Sequence, residues 1–128
     1  MKLLLDTHAF LWFIEGNPKI PSSTRSFIED PGNQSLLSIA SLWEMAIKLS
    51  LKKLKLEQPF DRLIPQQIAQ NGFGLLQIDI AHVARLVSIP FHHRDPFDRL
   101  LIAQAQSEHL PVVSRDVVFD TYGITRLW

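Results

Sequence analysis

Cysteine is absent from the 128-residue chain, and long apolar runs are absent too. Without cysteine the protein has no disulfides, no thiol nucleophile and no cysteine-ligated zinc. The first apolar run, residues 3–5, ends at Asp6, and no uninterrupted run approaches the length that a bilayer span requires. We therefore expect a soluble, cytoplasmic protein with no membrane partner.

An excess of charge of one sign is also missing, because 13 lysines and arginines balance 13 aspartates and glutamates. Proteins that bind nucleic acid stably are usually basic, so the composition argues mildly against that role. The balance can hide a local separation of charge. Four carboxylates gathered around one metal would leave the other nine acidic side chains facing 13 basic ones.

The chain has the size and composition of one ordinary globular domain, spanning residues 1–128, with 46% hydrophobic and 20% charged residues. Apolar periodicity and proline punctuation predict strands at 3–5, 35–38, 73–78, 112–114 and 124–128. The same patterns predict helices at 8–15, 22–30, 39–51, 60–71, 80–88 and 96–109. This alternation indicates an α/β fold with a parallel sheet covered on both faces.

Acidic residues recur close to the ends of the predicted strands, where ligands bind in open parallel sheets. Asp6, Asp79 and Asp116 come shortly after strands, whereas Glu44 and Asp98 lie early in helices. Asp98 is unusual because residues three, four and seven positions beyond it belong to the apolar face of its helix. A carboxylate is not expected beside an apolar helix face unless it has a structural or functional role there.

Each acid also has a local explanation. Asp6, Asp79 and Asp95 suit helix N-caps, and an acid at Asp98 suits the helix dipole. Ser41 and Glu44 have capping-box spacing, and Glu44 and Lys48 have the spacing of a surface ion pair. If the acids meet at one sheet edge instead, their charges repel unless a cation lies between them. Mg²⁺ or Mn²⁺ with oxygen ligands is typical of phosphoryl chemistry.

Four motifs resemble the PIN-domain ribonucleases, and most of all the VapC-type toxins of bacterial toxin–antitoxin pairs. They are LLLDTHAFLW at 3–12, SLWEMAIK at 41–48, DPFDRLLIAQA at 95–105 and VVSRD at 112–116. The resemblance covers essentially the whole chain. It implies a single PIN domain, a three-layer α/β/α fold with a central five-stranded parallel sheet.

The resemblance further implies an endoribonuclease dependent on Mg²⁺ or Mn²⁺, which hydrolyses RNA phosphodiesters with a metal-activated water. Residue by residue, it implies that the catalytic acids and metal ligands are Asp6, Glu44, Asp98 and Asp116. Thr7 and Ser114 match small hydroxyl positions beside the site. It also implies a homodimer that a cognate antitoxin protein silences.

An RNA substrate needs positive groups near the acids, and the sequence offers Arg94, Arg99, Arg115 and Lys48. These side chains also suit a solvated face with ion pairs. Aromatic residues at helical spacing, Phe10, Trp12, Phe13 and Trp43, suit base stacking, but core or interface packing is favoured. Asp79 is expected to be only a cap, and Asp120 to end a turn.

Three alternatives remain open from the sequence. A receiver-like domain has this size, although Asp79 comes late for a phospho-acceptor and no suitable lysine follows residue 55. A non-catalytic α/β interaction module would use every acid as a cap. A DNA-directed nuclease of the same superfamily would use the same acids on another polymer.

Overall fold

Five short parallel strands organise the chain in the computed structural model, which describes all residues from 1 to 128. The strands are β1 (Lys2–Leu5), β2 (Gln34–Ser38), β3 (Gly74–Leu76), β4 (Val112–Val113) and β5 (Arg126–Leu127). The helices are α1 (Thr7–Glu15), α2 (Ser22–Glu29), α3 (Ile39–Ser50), α4 (Phe60–Asn71), α5 (Ile80–Arg85) and α6 (Pro96–Glu108). None of these helices is long and apolar enough to cross a membrane.

The strand order is β3-β2-β1-β4-β5, with every neighbouring pair parallel. Strand β1 is therefore central, pairing Leu5 with Leu37 on one side and with Val113 on the other. This order confirms the predicted five-stranded parallel sheet. It contradicts the receiver-like alternative, because receivers have the strand order 2-1-3-4-5.

Apolar side chains cover both faces of the sheet, which completes a three-layer α/β/α fold. Leu3 and Leu5 point into one core with Phe10 of α1 and Ile64 of α4. Alternate residues of a strand face opposite sides, so Leu4 packs into the second core. That second core contains the apolar side of α6, including Leu101 and Ile102, which are fully buried.

The elements differ from the predicted ones mainly at their ends. Helix α4 has the predicted bounds, and Gly72 ends it with a φ of 65°, although Pro65 lies inside it. Strands β3 and β5 are shorter than predicted. Only some of the predicted residues lie close enough to a neighbouring strand to form ladder hydrogen bonds with it. A 3₁₀ helix over Val117–Tyr122 was not predicted; the Asp116 side chain caps it.

Candidate active site

Asp6 lies where central strand β1 ends and helix α1 begins, and it is buried. One of its carboxylate oxygens accepts the Ala9 backbone N–H at 2.8 Å, which makes Asp6 the N-cap of α1. The other oxygen accepts the Ser114 hydroxyl at 2.5 Å. Burial raises the pKa of Asp6 and the charge of Asp116 adds to the rise, although both hydrogen bonds and His8 oppose it.

Ser114 joins the ends of the two neighbouring strands β1 and β4. Its hydroxyl donates to Asp6 and accepts the Asp116 backbone N–H at 2.9 Å. Asp116 is exposed, and its carboxylate accepts the Val118 N–H at 3.0 Å. One of its carboxylate oxygens lies within 4.8 Å of ligand atoms of His93 and Asp98. The parallel pairing of β1 and β4 thus brings two acids together that are 110 positions apart in the sequence.

Asp98 enters from the first turn of α6 and lies beside these two acids. Burial raises its pKa to about 6, and the charges of Asp95 and Asp6 add to the rise, while His93 opposes it. The ligand atoms of His93, Asp98 and Asp116 all lie within 4.8 Å of one another. Three aspartates from three separate segments therefore share one electrostatic site.

His93 also belongs to this cluster, although no motif in the sequence places it there. Its Nε2 lies 2.7 Å from a carboxylate oxygen of Asp98, and its backbone N–H donates to the Tyr122 hydroxyl at 2.9 Å. No metal-ligand spacing marks this histidine in the sequence. The only signal was its position five residues before Asp98 in a run of polar residues.

Glu44 is buried on helix α3 but is not one of the three residues within that 4.8 Å group. The Thr7 hydroxyl donates to one of its oxygens at 2.6 Å, and Lys48 Nζ lies 2.8 Å from the other. Thr7 directly follows Asp6, so this hydrogen bond fixes Glu44 beside the end of β1. The predicted Glu44–Lys48 ion pair is present, whereas Ser38, and not Ser41, caps α3.

The donor set of this site fits a hard divalent cation. Its side chains are mainly carboxylates, which Mg²⁺ and Mn²⁺ prefer over softer ligands. Burial and mutual repulsion raise the pKa values of Asp6 and Asp98, so their charged forms lack sufficient compensation from the protein. A bound cation would supply that compensation.

Two of the predicted RNA contacts are exposed without an ion-pair partner, and two are engaged with other groups of the protein. Arg94 and Arg115 are exposed, whereas Lys48 is engaged with Glu44. Arg99 is buried, and its guanidinium donates to the backbone carbonyls of Ile89, Pro90 and His93. The prediction that Arg99 contacts RNA is therefore corrected: its side chain holds the loop before α6, where backbone carbonyls use its donors.

Three further aspartates are engaged in local contacts and are not members of the cluster. Asp79 caps α5 in a capping box with His82, as predicted, and Asp95 caps α6 by accepting two backbone N–H groups. Asp120 pairs with Arg126, at 3.0 Å from its Nε. This ion pair, together with the 3₁₀ helix, gives Asp120 a structural role at the end of the sheet.

A family model described as the PIN domain matches residues 3–124 of the chain. Ribonuclease VapC16 of Mycobacterium tuberculosis (strain ATCC 25618 / H37Rv) is 38% identical over 63 residues. The match covers 49% of this chain and 45% of that protein, so it spans less than half of the relative's length.

Several solved structures have a similar fold, and one of them is titled a toxin-antitoxin complex from Klebsiella pneumoniae (TM-score 0.59, 19% identity, covering 90% of this chain and 87% of that one). In the structure of VapBC2 from Rickettsia felis bound to a promoter DNA fragment, the matched chain has a TM-score of 0.74 and 13% identity. That match covers 99% of this chain and 98% of the other. For VapBC-1 of nontypeable Haemophilus influenzae the TM-score is 0.66 at 15% identity, covering 99% and 97%. At such identities, these likenesses establish the fold alone.

Proposed function

The chain belongs to the PIN-domain family, and from this premise we propose that it is an endoribonuclease that requires Mg²⁺ or Mn²⁺. One observation carries the proposal: Asp6, Asp98 and Asp116, from two strand ends and a helix, interact in one partly desolvated site. A non-catalytic module with independent caps would not need this arrangement. The matching relative is itself named a ribonuclease.

In this proposal, the cation is held by Asp6, Asp98 and Asp116, with Glu44 beside them. A divalent cation bound by such residues lowers the pKa of a water and offsets charge on a phosphate. Ser114 orients Asp6 by donating to one oxygen, and Thr7 orients Glu44 in the same way. Lys48 neutralises part of the Glu44 charge.

The substrate proposal is RNA, held by phosphate contacts from exposed basic residues around the site. Arg94 directly precedes the cap of α6, and Arg115 directly precedes Asp116. Neither has a carboxylate partner, since neither takes part in an ion pair. Free guanidinium groups beside carboxylates can bind the phosphates that flank a cleavage position.

The test is cleavage of a labelled, structured RNA by purified protein with Mg²⁺, with Mn²⁺ and with EDTA. We expect cleavage only with a divalent cation, and a loss of at least about 100-fold in Asp98→Asn. Asp79→Asn is the matched control, because Asp79 is also a helix cap but lies outside the cluster. Cleavage that persists in EDTA, or equal loss in both variants, would refute the proposal.

A single-stranded DNA of the same sequence, assayed in parallel, tests the choice of polymer. A nuclease that hydrolyses RNA should leave this DNA largely intact under conditions that consume the RNA. Equal or faster cleavage of the DNA would favour the DNA-directed alternative and would leave the metal site unaffected.

We also propose that the protein is the toxin of a toxin–antitoxin pair and that it forms a homodimer. The support for an antitoxin partner is that one structure of similar fold, from Klebsiella pneumoniae, is titled a toxin-antitoxin complex. Induced wild-type protein should arrest bacterial growth, and Asp98→Asn should not. If both arrest growth equally, the arrest does not depend on the proposed site and the toxin assignment fails.

A further inference from the structure

A pocket of about 340 Å³ opens directly beside the carboxylates, between the end of β4 and helix α1. Its lining residues are Asp6, His8, Trp12, Arg115, Asp116 and Val117. We propose that this pocket binds a nucleobase next to the phosphate at the carboxylates, stacked on the Trp12 ring. The inference rests on the proposed function and specifies where the RNA strand lies.

The Trp12 ring lies at the border between the core and the pocket. Its helical neighbours Phe10 and Phe13 are buried in the core, whereas Trp12 is only partly buried. Its indole packs against Trp128, with ring centroids 5.9 Å apart, and still lines the pocket. Core packing therefore explains Phe10 and Phe13 but leaves part of Trp12 facing the pocket.

Two cationic side chains and a histidine lie around that ring. Lys19 Nζ lies 5.1 Å and the Arg115 guanidinium carbon 5.9 Å from the indole centroid, and the His8 ring lies 5.5 Å away. All three residues are exposed, and none takes part in an ion pair. These groups are therefore free to meet the phosphates on either side of a base that stacks on Trp12.

The lining of the pocket combines two kinds of chemistry. Asp6 and Asp116 contribute carboxylates, which suit a phosphate only through a cation, while Trp12, His8 and Arg115 contribute aromatic and basic groups. A nucleotide has the same division into a charged phosphate and a flat π-system. Because every base has a π-face, we expect stacking here to tolerate different bases.

A binding assay without metal tests the pocket separately from catalysis. Fluorescence anisotropy of a labelled single-stranded RNA in EDTA should show at least about 5-fold weaker binding for Trp12→Leu, and near wild-type binding for Trp12→Phe. Trp43→Leu is the control, since Trp43 is an exposed tryptophan on α3 that is not part of this pocket. Equal weakening in Trp12→Leu and Trp43→Leu, or none in either, would overturn the proposal.

Arg115→Gln provides a second variant that should not affect folding, because Arg115 is exposed and makes no hydrogen bond. It should weaken binding and reduce the dependence of affinity on salt, as expected when a phosphate contact is lost. If the affinity of Arg115→Gln for RNA equals that of wild type at every salt concentration, Arg115 does not contact a phosphate and this part of the proposal fails.

The unmodified chain gives a test that needs no substitution. RNA carrying 5-iodouracil, irradiated on wild-type protein in EDTA, should attach to the peptide that contains Trp12, as located by mass spectrometry. Attachment only at Trp43 or Phe97 would place the base elsewhere and overturn the pocket. If wild type fails to cleave RNA yet attaches at Trp12, the nuclease proposal fails and the pocket survives. If wild type cleaves RNA but no RNA attaches to the Trp12 peptide, the pocket proposal fails and the nuclease proposal survives.

Discussion

Asp98 shows how a residue can serve function at the expense of stability. Its helix would be more stable with an apolar or neutral side chain at this position, because its neighbours in α6 pack into the core. Burial and the nearby aspartates raise its pKa from 3.8 to about 6, so the ionised form is disfavoured in the folded protein. A site that binds a cation has to maintain this unfavourable charge when the cation is absent.

Replacing this charge should therefore stabilise the metal-free protein. We expect Asp98→Asn to raise the free energy of unfolding at pH 7 by about 1–2 kcal/mol, less than the full pKa shift implies because Asp98 is partly solvated. Urea denaturation in EDTA measures this difference. At a Mg²⁺ concentration about ten times the wild-type Kd, the difference in free energy of unfolding between Asp98→Asn and wild type should narrow or change sign. Only wild type gains stability by binding the ion. A variant that is less stable than wild type in EDTA would contradict the argument.

The stability that Asp98→Asn gains over wild type in the absence of metal should also depend on pH. The folded pKa of Asp98 lies above its unfolded value, so folded protein binds more protons between pH 4 and 6. Its destabilising effect is therefore present above about pH 6 and is lost as pH falls toward 4. The stability difference between Asp98→Asn and wild type, measured in EDTA at a series of pH values, should shrink over that window. If the stability difference grows as the pH falls, ionised Asp98 does not destabilise the folded protein and the argument fails.

At the scale of elements, one buried histidine ties the start of α5 to the end of α6. His82 Nδ1 accepts the Asp79 backbone N–H at 3.2 Å, so the ring proton lies on Nε2. That nitrogen lies 2.9 Å from a carboxylate oxygen of Glu108. The short helix α5 has few residues of its own, so its position depends on this contact and on its packing against α6.

Loss of this histidine should cost far more stability than loss of the cap that it supports. We expect His82→Ala to lower the free energy of unfolding by about 2–4 kcal/mol, because it leaves a cavity and an unpaired backbone group. Asp79→Asn should cost less than about 1 kcal/mol, since asparagine also caps helices. Chemical denaturation of both variants gives the comparison, and equal costs would show that His82 does not join the helices.

At the scale of the whole molecule, the surface has one segment with unusually exposed apolar side chains. Ile80, Val83 and Val87 follow one another at helical spacing on and just after α5, and Phe91 comes next in the chain. They are 50–89% exposed, and Phe91 covers the Arg99 guanidinium at 3.9 Å from its ring centroid. Exposed apolar groups of this kind are typical of a contact with another protein, and we propose that a second copy of the chain covers this segment in the homodimer.

The dimer prediction is specific to this segment. Val87→Asp should convert the protein to a monomer at micromolar concentration, because a carboxylate in a contact between two copies is desolvated without a partner. Val117→Asp is the matched control, an exposed valine outside the segment. Sedimentation velocity distinguishes the two states. A wild-type monomer, or a dimer unaffected at Val87, would exclude this surface.

The sequence alone was sufficient for much of this description. Apolar runs and helical spacing predicted every strand and every α-helix, although not the 3₁₀ helix, because burial on one or both faces constrains the order of apolar residues along the chain. Four motifs led to the PIN-domain family, which the match over residues 3–124 confirms. The caps at Asp79 and Asp95 were also predictable, since a cap is a local contact within three residues.

Only the tertiary structure decided which polar groups meet. The sequence offered Arg99 as an RNA contact, but folding buries its guanidinium among loop carbonyls. Folding also places His93 on Asp98, a contact that no motif predicted. Trp12 had the same spacing as its buried neighbours, and only the position of β4 shows that its ring lines a pocket. Periodicity records which side of an element is buried. Contacts between distant elements depend on strand order and loop paths, which no local pattern records.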